Sequence, residues 1–222
     1  MSDSAIARGI WWPLPLSHPR YEFLAIIALC PVLLVTCIWN GFPIIYYDTG
    51  AYALEGLGHV FLPERSAVYS LFLLVAGARY SLWFVAILQT LMTSFVLVQT
   101  IRVYLPRATL VTALGIGAAL CAATGIDWYV GQIEPDCFTA IAILSVWLLA
   151  FGLGLGGVRR GLGGIRRGFL VAILALAIAA HPSHLGLAAG LLVCIALLRV
   201  SSYGKKIAAD LAAPLLSWLL AV

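Results

Sequence analysis

Apolar residues run through this chain in long blocks almost free of charge, separated by short polar stretches. Phe23–Trp39, Ser81–Ile101, Thr109–Ile126 and Cys137–Val158 are four such blocks. Gly168–Leu198 is a fifth, interrupted by His181-Pro-Ser-His184, and Ile207–Val222, which contains Asp210, is the last. A helix needs about twenty apolar residues to cross the hydrocarbon core of a bilayer. The pattern therefore predicts an all-α, polytopic transmembrane helix bundle.

Composition agrees. Of the 222 residues 63% are hydrophobic and 10% are charged, and the mean hydropathy is +1.05. A soluble domain carries about 25% charged residues, so the expected solvent for this surface is the lipid bilayer. A net charge of +4 does not point to nucleic acid, because the basic residues sit in short clusters between the apolar blocks. Five cysteines, at 30, 37, 121, 137 and 194, show no C-x-x-C spacing and read as small packing residues. The polar lead is too long for a cleavable signal. Residues 1–21 are expected as a cytoplasmic segment and 22–222 as the transmembrane module.

The basic clusters orient the blocks, since Lys and Arg collect on the cytoplasmic side. Arg8 and Arg20 precede the first block and Arg102 and Arg107 follow the second. Arg159, Arg160, Arg166 and Arg167 follow the fourth, and Arg199, Lys205 and Lys206 follow Gly168–Leu198. With all four clusters on one side, neighbouring clusters are an even number of crossings apart. The stretch Ala67–Tyr104 then crosses once, so Ala67–Ala78 is expected as a re-entrant or interfacial helix, or as an extension of one long tilted helix. Gly168–Leu198 must turn back on itself, and Pro182, which removes a helix hydrogen bond, marks the turn. The result is about seven spans with a cytoplasmic N-terminus. The last block runs to the final residue without flanking charge, as expected of a chain truncated at its C-terminus.

Three segments then share the outer face: the loop Asn40–Ser66, Asp127–Asp136 and His181–His184. They hold six of the nine acidic residues and three of the four histidines, although neither residue type entered the parity argument. Asp48 leads the candidates for chemistry. A carboxylate at a membrane surface is costly to keep without a function; it reads either as a catalytic or binding group, or as the N-cap of a short helix. Arg65 suits a phosphate held by paired hydrogen bonds, or an interfacial anchor beside Glu64. Glu134 and Asp136 flank Pro135 at the opening of a span, where carboxylates also complement the helix dipole. His181 and His184 can shuttle protons, contact phosphate or coordinate a metal, or simply finish a hairpin tip. Gly186-Leu-Ala-Ala-Gly190 has the spacing of close helix packing.

An outer-loop Asp among aromatics, followed by Pro63-Glu-Arg-Ser-Ala-Val-Tyr-Ser-Leu-Phe-Leu-Leu74, resembles the start of the GT-C superfamily of polytopic membrane glycosyltransferases. Glu134-Pro-Asp136 is similar to that family's second acidic position, and His181-Pro-Ser183 to its Lys-Pro-Thr-like turn. The likeness covers roughly residues 22–200. It departs from the family pattern in lacking a double proline after Asp48 and in carrying histidine for lysine at the later turn. The resemblance implies an N-terminal seven-span module that takes a sugar from a polyprenyl-phosphate carrier at the periplasmic face of a bacterial inner membrane. It implies Asp48 as the catalytic group, with Arg65, Glu134, Asp136, His181 and His184 binding substrate. It leaves a divalent metal near Asp48 open, since some members use one. Two rivals stand beside it. A non-catalytic scaffold would have a membrane protein partner; a transporter or flippase of lipid-linked substrates would need polar groups at depth, for which Gln89 and Asp210 are the candidates.

Overall fold

The computed structural model describes residues 14–60, 62–151, 163–202 and 216–221. The predicted features around Arg8, Trp11 and Trp12, the Arg159–Arg160 linker, and the stretch from Lys205 through Asp210 lie outside the described residues. Among the described residues every regular element is a helix. The first apolar block forms α1 (Pro19–Leu33) and α2 (Val35–Asn40). Pro31 lies inside α1, yet the Leu34 N–H still donates to Cys30 O at 2.9 Å and the Ile38 N–H to Leu34 O at 2.8 Å. The two are therefore nearly continuous. Then follow α3 (Thr49–Gly58), α4 (Ala67–Val75), α5 (Leu82–Tyr104), α6 (Leu110–Thr124) and α7 (Ile126–Gly131). A 3-10 turn, Pro135–Phe138, leads into α8 (Thr139–Phe151), and α9 (Gly164–Ala180) and α10 (Pro182–Ser202) complete the bundle.

Helix α5 is the axis. Among the described residues it alone is long and apolar enough to cross a membrane. Helices α1, α6, α8 and α9 have 15, 15, 13 and 17 residues, so the expected seven crossings are not carried by helix length. One side of α5 packs Val98 and Ile101 on Ala25 and Leu29 of α1 and Ala113 of α6. Its other side joins Val85, Ala86 and Val96 to a larger core containing Tyr69 and Phe72 of α4, Phe138, Ile141 of α8 and Leu174 of α9. Cys37 and Cys137 are buried in that core, as expected of packing residues.

Helix α4 has 9 residues, a rise of about 14 Å, which is too short to cross a bilayer. It ends in a turn where Gly77 takes φ +92°, a value open to glycine because it lacks Cβ. The Ala78 N–H closes this turn on Leu73 O at 3.0 Å. The short separate helix is thus the form observed, and the single long tilted helix is not. Helices α9 and α10 pack on each other and break at His181, which is extended (φ −144°, ψ 123°) as the residue before a proline prefers to be. Gly186 and Gly190, expected to bring helices together, meet nothing within 4 Å at an added Cβ among the described residues.

Polar groups gather at two ends of the bundle. At one, Glu22 of α1 is buried and takes Arg166 of α9 at 2.6 Å and Arg102 of α5 at 3.2 Å. Gln99 donates to the same carboxylate at 2.8 Å. Burial opposes the Glu22 charge, but the bonds from Arg166 and Gln99 and the charge of Arg102 outweigh it and hold its pKa below the usual carboxylate range. At the other end lie Asp48, Arg65, Glu134, Asp136 and His181. The rise of α9 from Arg166 to Ala180, and of α5 from Arg102 back to Gln89, is about 20 Å in each case at 1.5 Å per residue. Helix α5 continues about 10 Å past that level to Leu82.

Two outcomes are expected for stability. An added Cβ at Gly56 meets Ser70 O at 2.4 Å, a backbone atom that cannot swing away. Gly56→Ala should cost about 1–3 kcal/mol, read as a lowered melting temperature, while Gly190→Ala leaves it unchanged or slightly raised. Because the Glu22 pKa is depressed on folding, its contribution is present above the ordinary carboxylate value and is lost as pH falls through the folded one. Glu22→Gln should be less stable than wild type at neutral pH, with the gap closing in acid unfolding curves.

Candidate functional site

Asp48 stands at the N-cap position of α3 but makes no side-chain cap hydrogen bond. Its carboxylate turns instead to Arg65. Nη1 of Arg65 donates to Oδ2 at 2.5 Å and Nη2 to Oδ1 at 2.6 Å, a two-pronged pairing suited to a planar guanidinium. Both side chains are about three-quarters covered, at 26% and 28% exposed. The Arg65 guanidinium lies 5.7 Å from the centre of the Tyr52 ring, within cation–π range. Tyr52 follows Asp48 by one helical turn, a spacing that puts the two on one side of α3. That spacing was the available signal for Tyr52.

The loop carrying Asp48 is tied to the segment carrying Glu134. The Ile44 N–H donates to Gly131 O at 3.0 Å and the Ile133 N–H to Ile44 O at 2.9 Å. The Thr49 hydroxyl donates to Ile133 O at 2.9 Å. Glu134 is 4% exposed. Its Oε2 accepts from the Gln132 side chain at 3.3 Å, and its Oε1 is buried without a partner. Burial, then the negative charges of Asp136 and Asp48, push its pKa up to about 7, against the Asp48 backbone N–H and the Arg65 charge, which lower it.

Asp136, two residues on, is exposed and lies 3.6 Å from His181 Nε2. The other ring nitrogen of His181 meets the Ser183 hydroxyl at 2.7 Å and accepts from the Ser183 N–H at 3.2 Å. His184 differs. It is 2% exposed, its Nδ1 is 2.6 Å from Ala177 O, and its Nε2 is 2.7 Å from the Thr139 hydroxyl. A carbonyl only accepts, so Nδ1 carries a proton, and both ring nitrogens are occupied inside the protein. His184 anchors the start of α10 to α8 and α9. Asp127 also turns away from the site, bonded by the Thr36 hydroxyl of α2. Glu55 is buried and joins α3 to α4, taking the Ser70 hydroxyl at 2.6 Å.

The structure thus brings Asp48, Arg65 and Glu134 together, with Asp136 and His181 beside them, and sets His184 apart as a packed residue. A cavity of about 660 Å³ opens under Asp136 between α5, α6, α7 and α8. Its lining is mostly apolar, with Leu97, Leu120, Tyr129, Ile141 and Leu144 among its walls. Among the described residues no three His, Cys, Asp or Glu side chains converge as a metal-binding set. Both oxygens of Asp48 face Arg65.

Behind the site, Gln89 of α5 is fully buried. Its Oε1 accepts from the Tyr69 hydroxyl at 2.9 Å, and its Nε2 donates to Gln132 O at 2.8 Å and Val130 O at 3.4 Å. Gln89→Leu should strand these buried partners at about 1–3 kcal/mol for each orphaned group. The expected reading is a lower melting temperature with faster proteolysis between α7 and α8.

No protein-family model matches the chain, and no curated protein or solved structure matches it.

Proposed function

We propose that this chain is the N-terminal module of a membrane glycosyltransferase of the GT-C kind, using a polyprenyl-phosphate sugar. In this reading the bundle spans a bacterial inner membrane about seven times with its N-terminus in the cytoplasm. The Glu22 end then faces the cytoplasm, and the Asp48 end faces the periplasm. The observation that carries the reading is the meeting of three sequence-distant segments at one end of the bundle, where a base, a phosphate-binding cation and two further acids lie together. A scaffold has no need of such a meeting.

Asp48 acts as base toward the acceptor hydroxyl, whose oxygen attacks the anomeric carbon as the bond to the lipid phosphate breaks. Arg65 takes up the negative charge left on the departing phosphate. These roles are coupled, because in the resting structure each group occupies the other. A phosphate that takes Arg65 frees Asp48 for the acceptor. Asp136 and Glu134 are placed to meet sugar or acceptor hydroxyls, and His181 to meet the phosphate. The apolar cavity below Asp136 suits part of the carrier's hydrocarbon chain, entering sideways from the bilayer.

One observation favours the scaffold reading: the Asp48–Arg65 fork satisfies both partners and would serve as a clamp. The transporter reading loses Gln89, whose amide is consumed in the core.

Asp48→Asn should lower sugar transfer by about 10²–10⁴-fold while the protein remains inserted and folded by circular dichroism and size exclusion. Full transfer by a folded Asp48→Asn protein removes Asp48 from the chemistry. Loss of fold in both Asp48→Asn and Arg65→Gln supports the clamp instead.

A further inference from the structure

Glu134 is an acid in a site whose cations are already engaged. Arg65 gives both terminal nitrogens to Asp48, and His181 lies against Asp136. The other titratable groups facing Glu134 are Tyr52 of α3, Tyr69 of α4 and Cys137 of the 3-10 turn, none of which is cationic; His184 of α10 is turned into the core. One carboxylate oxygen of Glu134 is buried with no hydrogen-bond partner among the described residues. A buried carboxylate without a cation or a full set of donors favours its neutral form.

We propose that Glu134 holds a proton in the site and that an anion displacing Asp48 from Arg65 is bound together with that proton. The inference rests on the reading of Arg65 as the phosphate ligand. The argument is electrostatic. In the resting site Arg65 balances Asp48. When a phosphodiester takes the guanidinium, the Asp48 charge is no longer offset, and a second negative charge arrives beside it. Both act on Glu134, through little intervening water, and both favour its neutral form. The protonated acid can donate to the phosphate or to the released Asp48 carboxylate. No bond is made or broken beyond the O–H; the proton comes from water.

The sign follows from the geometry and agrees with the raised pKa of Glu134, about 7 before the anion binds. Binding raises it further. Affinity is therefore flat below that value and falls as pH rises through it, by up to about tenfold per pH unit, until the bound-state pKa is reached.

The test uses the full chain in lipid nanodiscs and a farnesyl phosphodiester of a sugar, a probe that does not itself titrate near neutrality. Affinity and proton uptake are measured by calorimetry in buffers of differing ionisation enthalpy from about pH 6 to about pH 8.5. Wild type should bind about tenfold more weakly at the upper end and take up about half a proton per probe near pH 8. Glu134→Gln should bind with no slope and no uptake, and His181→Gln should keep the slope whatever its affinity. A flat wild-type profile overturns the inference even if no variant folds. A slope that survives Glu134→Gln but vanishes in His181→Gln overturns it and assigns the proton to the histidine. Both results leave the phosphate reading standing. Absence of binding by folded wild-type protein at every pH sinks that reading, and this inference with it.

Discussion

A polar side chain inside an apolar bundle must find its partners within the protein, and the amide of Gln89 does so in a way that places everything around it. It stands on α5, among the described residues the one helix both long and apolar enough to cross a membrane. From there it takes the Tyr69 hydroxyl of α4 and gives its hydrogens to carbonyls at 130 and 132. Tyr69 packs on Tyr52, at 4.9 Å between ring centres, and on Phe72 and Phe138. The segment 130–133 in turn holds Ile44 and Thr49. One buried amide therefore sets the level of α4, of the Asp48 loop and of the Glu134 turn along α5. The three site segments have no regular structure long enough to position them otherwise.

The Asp48 position shows two local demands in competition. An aspartate ahead of Thr49 is an ordinary helix cap, and the backbone does place it there. The side chain instead answers Arg65, because a guanidinium offers two charge-assisted bonds where a cap offers one neutral N–H. Helix α3 starts without a side-chain cap as a result. Asp48, Glu134 and Asp136 gather at this end of the bundle, and of the three only Asp48 is paired with Arg65. The imbalance falls on the most buried of the three, Glu134. Asp136 stays in solvent, and Glu134 is held back by the extended backbone (φ −153°, ψ 153°) required before Pro135.

Much of this was legible in the chain. The apolar blocks became helices. Pro135 and Pro182 marked two places where helices stop and the preceding side chain is set at a break, and Glu134 and His181 are those residues. The parity of the basic clusters sorted Asp48, Arg65, Glu134, Asp136 and His181 from Arg102 and Arg166, and the two sets do lie at separate ends of α5. What was not legible is pairwise. Glu22 drew no reading from the sequence, because its partners lie at 102 and 166 and no local spacing connects them. His181 and His184 looked alike; only the packing of α8 and α9 leaves one half-buried and makes the other a satisfied core residue. Gly186 and Gly190 had the right spacing but meet no neighbour among the described residues. Arg79, exposed at the Asp48 end, is a cation that the parity argument left out.

Depth links the fold to the proposed chemistry. The two polar ends are about 20 Å apart by helix rise, whereas the hydrocarbon core of a bilayer is about 30 Å thick. In the proposed reading, with the Glu22 cluster at one membrane surface, the Asp48 site is recessed from the other, since α5 rises about 10 Å past its level. Charges at such depth must be paired or neutral. In the proposed reading that accounts for the pairing of Arg65 with Asp48 at rest and for a proton on Glu134, which has no cation of its own. A substrate that brings its own anion to this depth on a hydrocarbon chain can open the pair, since it replaces one neutralised charge with another and leaves no bare ion in the bilayer. A water-soluble anion would have to shed its hydration to do the same. On that reading, a recessed site would favour a lipid-borne phosphate through the desolvation any rival must undergo, before a single contact to the sugar is made.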